Sequence, residues 1–144
     1  MTKELNLDQF EMTQLIHTTL SDAVQDLSTK VEEIRGLSPA DVTDEKLMSL
    51  IDETRKFILF LKYSNEYMSK ALIQAIAKEE ILRIKLHLLS VLRALSDHVR
   101  QKDYYAIHDL ITEELRDNLV MWKINVMPLL RPQREHQPFG SIQL

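Results

Sequence analysis

A chain of 144 residues with 18 Lys and Arg against 22 Asp and Glu, net charge −4, is sized for one domain that buries a core without covalent staples. The absence of cysteine excludes disulfides, thiolate catalysis, cysteine-ligated zinc and iron–sulfur clusters. Two glycines and four prolines leave little punctuation for hairpins or phosphate-cradling loops. The expected fold is therefore all-α: an antiparallel bundle of four to five long helices over residues 1–127, followed by an extended, proline-containing tail over 128–144.

The opening MTKELNLDQF has no basic stretch leading into an apolar core, and no uncharged run approaches the ~20 residues that span a bilayer. A cytoplasmic location is expected. Charge is unevenly spread: 4 basic against 12 acidic residues over 1–53, 10 against 4 over 54–102, and 4 against 6 over 103–144. An acidic first segment is thus followed by a basic middle.

The first predicted helix runs from about Leu7 to Arg35 and stops at Gly36, a residue suited to the left-handed conformation just past a helix end. Phe10, Thr13, His17, Leu20, Val24, Leu27, Val31 and Ile34 recur alternately three and four residues apart, the period of a coiled-coil seam. Met12, Leu15, Ile16 and Ala23 widen that stripe at its start. A helix of roughly 45 Å needs a long partner, either within the chain or in a second copy.

Residues 36–43 read as a linker in which Pro39 biases Ser38 away from helix. Thr43 should cap a second helix whose first turn holds Asp44 and Glu45. Its apolar set is Leu47, Leu50, Ile51, Phe57, Ile58 and Leu61. No Gly or Pro interrupts residues 64–101, so either one very long helix follows or a break falls near Tyr63–Asn65 or Lys78–Glu80. The run from Ile81 to Leu95 is apolar on nearly every face, as in a helix surrounded by others. Asp103 should cap the last helix, with Tyr104, Ile107, Ile111, Leu115, Leu119, Trp122 and Val126 on its stripe and Pro128 as its end. In the tail, Leu129, Leu130, Phe139 and Ile142 are candidates to lie on the bundle or on a partner.

None of the five histidines follows a Glu by three residues, and no His-x-x-x-His occurs, so the helical metal-site spacings are missing. His17 and His108 fall on apolar stripes and read as register-setting polar residues, with a pH-sensitive interface as the functional alternative. Arg83, Lys85, Arg93, Arg100 and Lys102 are interleaved with the most buried-looking run and have no stacking aromatic between Met68 and Tyr104. They are expected to face the acidic first helix rather than nucleic acid. Phe57 and Trp122 read as core, whereas Phe60 and Tyr63 sit off the main stripe and are candidate interface anchors.

The string LMSLIDETRKFILFLKYSNEYMSKAL resembles the first helix of AroQ-type chorismate mutases, which would imply an anion pocket lined by Arg and Lys. Ser64 and Asn65 stand where that pattern wants an Arg, and Met48 and Ser49 omit the Arg expected before Ile51–Asp52. A dicarboxylate would have no charge-matched clamp, and an enzyme of this kind is set aside. Leu92–Ser96, the Lys102–Asp103 joint and Glu113–Glu114–Leu115–Arg116 resemble small helical export chaperones of flagellar and type III secretion systems. That resemblance implies a client helix as partner.

The expected function is non-catalytic: an interaction or assembly module that self-associates as a homodimer or binds an amphipathic helix of a partner protein, using the Phe10–Ile34 seam. No catalytic residue, metal ligand or cofactor is assigned, and neither nucleic acid nor a membrane is an expected partner. The alternatives are a small-ligand-binding regulatory bundle with a pocket at Tyr63, Tyr67 and His87, and an export chaperone.

Overall fold

A computed structural model of the chain describes residues 9–71 and 75–130. Among them every regular element is helical: α1 (Gln9–Arg35), α2 (Asp44–Ala71), α3 (Ala75–Gln101), and a last helix, α4, over 104–130. α1 packs along α2 and α4, and α3 packs along the same two helices from the other side. Polar pairs fix which levels meet. Lys46 at the start of α2 reaches Glu33 near the end of α1, Arg116 of α4 reaches Glu32, and Lys85 of α3 reaches Asn65 of α2.

The α1 stripe is what organises this arrangement. Leu20, Val24, Leu27, Val31 and Ile34 are all 0–2% exposed within the single chain, together with Leu47, Leu50, Phe57, Leu88, Leu95, Leu115 and Trp122 from the other helices. Burying each such side chain is worth about 1.5–3 kcal/mol. The seam's leading end is different: Phe10, Thr13 and His17 are only half-buried. Phe57 and Trp122 meet edge to face with ring centroids 5.5 Å apart at 70°, linking α2 to α4 across the centre. Buried hydroxyls on α2 are satisfied by their own helix, Thr54 donating to the Leu50 carbonyl and Ser64 to that of Phe60.

The linker folds as the sequence implies. Ser38 is extended (φ −73°, ψ 156°) ahead of a 3₁₀ turn over Pro39–Asp41, and Val42 seals the core beneath it. Thr43 Oγ1 accepts the Lys46 N–H at 3.2 Å, and Asp103 Oδ1 accepts that of Ala106 at 3.1 Å, so both predicted caps form.

Several expectations are corrected. Gly36 does end α1 but does not adopt positive φ; the left-handed residue is Lys102, φ 58°, at the α3–α4 joint. There the Lys102 N–H bonds to Val99 O and the Asp103 N–H to His98 O, each at 3.1 Å, the paired bonds of a Schellman cap. Neither predicted break is found: Tyr63–Asn65 lies within α2 and Lys78–Glu80 within α3. Pro128 does not stop α4: it sits in a 3₁₀ turn over Met127–Leu130 directly after the π turn at Trp122–Val126, where the change of bonding pattern means that the proline interrupts no regular α-helical ladder. Leu130 is fully buried, whereas Leu129 is exposed. Leu7, Phe139 and Ile142 lie outside the described residues.

α4 is also not a uniform α-helix. Its α-helical parts, Tyr104–Asp109 and Arg116–Met121, alternate with π turns at Leu110–Leu115 and Trp122–Val126, where the Arg116 N–H reaches Ile111 O and the Met127 N–H reaches Trp122 O. The cause is its spacing. Ile107, Ile111, Leu115, Leu119, Trp122, Val126 and Leu130 are buried at four-residue steps with one step of three. In an α-helix each four-residue step overshoots a turn by roughly 40°. Widening to π geometry keeps the stripe on the core.

Candidate functional site

With the α1 stripe enclosed, the remaining unpartnered apolar surface lies elsewhere. On α3, Leu82 and Leu86 are 53% and 57% exposed, so this helix is not surrounded as its composition implied. They border a groove of about 340 Å³ between α2 and α3, lined by Ile58, Leu61, Lys62 and Asn65 from one helix and Leu82, Lys85, Leu86 and Leu89 from the other. Helical spacing brings these together: 58, 61/62 and 65 share one face of α2, and 82, 85/86 and 89 one face of α3.

Two cations stand in this apolar setting. Lys85 Nζ bonds to the neutral Asn65 Oδ1 at 3.3 Å, and burial pushes its pKa below the ordinary lysine value. Lys62 Nζ is 6.0 Å from the centroid of the Tyr63 ring. Neither makes an ion pair with a carboxylate among the described residues. Arg83 and Arg100 on α3, by contrast, are paired with Glu80 and Asp97 of their own helix. The expectation that the basic middle faces acidic α1 is not met at its C-terminal end: Glu33 and Glu32 of α1 are matched by Lys46 of α2 and Arg116 of α4.

A second constellation is internal. Asn118, 1% exposed on α4, accepts the Trp122 indole N–H on Oδ1 at 2.9 Å. An indole nitrogen can only donate, which orients the amide and directs Nδ2 at the Ile84 carbonyl (3.0 Å) and at His87 Nδ1 (2.9 Å). His87 Nδ1 therefore accepts, and its Nε2 carries the hydrogen, facing Glu114 Oε1 at 3.6 Å. The network ties α3 to α4 and leaves no polar atom of Asn118 unmatched. This is a structural clamp between the two helices.

The residues of the predicted pocket are placed as follows in the fold. His87 engages α4, while Tyr63 and Tyr67 lie on α2 exposed to solvent, Tyr63 at 74%. As an anchor, Phe60 is partly buried against the core, and Tyr63 alone is open. The seam residues Leu20, Val24, Leu27, Val31 and Ile34 are enclosed by α2 and α4, so that stretch is not an open docking surface. His108 Nε2 meets the Leu37 carbonyl at 2.8 Å, linking α4 to the residues after α1. Sequence reasoning did not single out Ile58, Leu61, Lys62, Asn65, Leu82, Lys85, Leu86 and Leu89 as a site; the signal available was the apolar excess on every face of 81–95.

Among the described residues no group of His, Asp and Glu is placed to hold a metal ion, and no helix is long and apolar enough to cross a membrane. Compared with known proteins, the chain matches no family model, no curated protein and no solved structure.

Proposed function

We propose that the chain is a non-catalytic interaction module, an antiparallel four-helix bundle that receives an amphipathic helix of a partner protein in the α2–α3 groove. The observation that carries this reading is the pair Leu82 and Leu86, more than half exposed and facing a groove floored by Ile58, Leu61 and Leu89. A helix laid along such a floor inserts side chains at i, i+3/i+4 and i+7. The groove's lining spans residues 58–65 and 82–89, roughly 10 Å or two turns of each helix, which matches one such repeat.

Selection of a displayed library of random helical peptides on the full-length protein tests the reading. The expected winners share the three-and-four apolar spacing and lose binding to Leu86→Glu but not to Leu15→Glu, a similarly exposed leucine on α1. Failure to enrich any helix, or winners indifferent to Leu86→Glu, would refute it.

A further inference from the structure

We infer that the partner segment for the α2–α3 groove is acidic: an amphipathic helix whose apolar stripe is flanked by Asp or Glu. This rests on the helix-receiving reading of the groove and adds the charge of its occupant.

Lys62 and Lys85 both line the groove, one from each helix, so a helix lying between them presents its two flanks to opposite cations. Arg55 lies one turn before Ile58 and Arg93 one turn after Leu89, extending the positive border at one end, although Arg55 already has Asp52 at 3.6 Å. The carboxylates nearest along the two helices, Glu66 on α2 and Glu80 on α3, are not part of the lining, and Glu80 is paired with Arg83. Lys85 is the more telling of the two lysines. It shares the groove lining with leucines, its ammonium is partly withdrawn from water, and its hydrogen-bond partner is an uncharged amide. A desolvated ammonium without a counter-charge is unfavourable, and an arriving carboxylate relieves that cost while gaining a charge-assisted hydrogen bond. The groove supplies the apolar half of an interface and the cationic half of two ion pairs.

The same charges disfavour a second copy in this position. A two-fold contact of groove on groove would bring Lys62 and Lys85 against their own counterparts. The acidic outer face of α1 has Leu15 as its exposed large apolar residue, too little to fill a groove lined by five apolar side chains.

The test is fluorescence anisotropy of the full-length protein with labelled peptides of about 18 residues, long enough to form helix. They share one leucine stripe and differ in its flanks: Glu, Gln or Lys. The Glu-flanked peptide is expected to bind at least about tenfold more tightly than the Lys-flanked one at low salt, the gap narrowing as salt is added. Lys62→Glu combined with Lys85→Glu should reverse the order, and circular dichroism melts of that variant establish that it folds. The comparison of peptides on the unaltered protein stands without it.

Equal binding of the Glu- and Lys-flanked peptides would overturn the charge assignment and leave the helix-receiving reading standing. Binding of none of them, with no helix enriched from the library, would overturn both. Tight binding to phosphatidylserine vesicles through Leu82 and Leu86 with no preference for acidic peptides would make a lipid surface the occupant and refute the inference. So would dimerisation in light scattering that Leu86→Glu abolishes.

Discussion

Trp122 donates its indole N–H to Asn118 Oδ1, four residues earlier on α4, and the same Asn118 donates to the Ile84 carbonyl and His87 Nδ1 on α3. One side chain thus satisfies a buried indole and cross-links two helices. Asn118→Ala strands the indole N–H in the core, and an unmatched buried donor costs about 1–3 kcal/mol before any cavity is counted. The expected loss is about 2–4 kcal/mol in urea unfolding. Trp122→Phe in the Asn118→Ala background should cost less than in the unaltered protein, because the indole donor is by then unsatisfied. Additive losses would show that the pair does not interact.

Leu27 and Leu86 are chemically identical and placed oppositely, one 1% and the other 57% exposed. Leu27→Ala should destabilise by about 2–5 kcal/mol. Leu86→Glu should change stability by no more than about 0.5 kcal/mol, since more than half of that side chain is already in water. Chemical denaturation of both variants checks the contrast. A severe loss for Leu86→Glu would mean that the groove is closed in solution.

Lys102 holds φ 58° at the α3–α4 joint, a conformation that costs a residue with a Cβ about 1–2 kcal/mol. Lys102→Gly removes that strain but adds freedom to the unfolded chain, for a net stabilisation of about 0.5–1 kcal/mol. Gly36 is the reverse case: its φ is not positive, and an added Cβ would meet only the Glu33 and Glu32 carbonyl oxygens at 3.6 and 3.7 Å, ordinary contact distances. Gly36→Ala should stabilise by about 0.4–1 kcal/mol. Thermal melts that moved downward for either substitution would contradict these backbone assignments.

The carboxyls of Glu32, Glu33 and Glu80 are held below the ordinary glutamate value of 4.5: by hydrogen bonds from Arg116 and then Arg35, by Lys46, and by Arg83 and then Asn125, respectively. Because folding lowers these pKa values, the unfolded chain takes up protons first as pH falls. The stabilisation is present in full above the unfolded value, and is lost as pH falls from 4.5 through the folded values. Melting temperatures measured from about pH 6 down to about pH 3 should decline most steeply over that window, and Glu33→Gln should shallow the decline. Glu32 and Glu33 are exposed and Glu80 is partly so, and added salt should weaken the effect. A melting temperature indifferent to acid would refute the assignment.

What could be read in advance divides along physical lines. The stripe from Leu20 to Ile34 was legible because burial imposes its own period on a long helix, and Thr43 and Asp103 because capping is a contact between residues three apart. That Tyr63–Asn65 lies within α2 and Lys78–Glu80 within α3 was not legible, since no Gly or Pro in residues 64–101 marks a helix boundary. The groove was misread for a related reason. An apolar run such as 81–95 reveals how much surface seeks cover but not whether this chain provides it, and Leu82 and Leu86 are where it does not. Asn118 gave no signal, because its partners Ile84 and His87 are 34 and 31 residues away.

The wide turns of α4 bear on how this chain tolerates changes in length. A π turn is what a helix forms when it holds one residue more than its face requires. Deleting an outward-facing residue such as Glu113 from Leu110–Leu115 would let regular bonding resume, with Ile107 upstream and Trp122 downstream still directed inward. The final helix is therefore a segment where a single-residue deletion is absorbed locally, whereas the same deletion in the middle of α1 would turn Val31 and Ile34 out of the core.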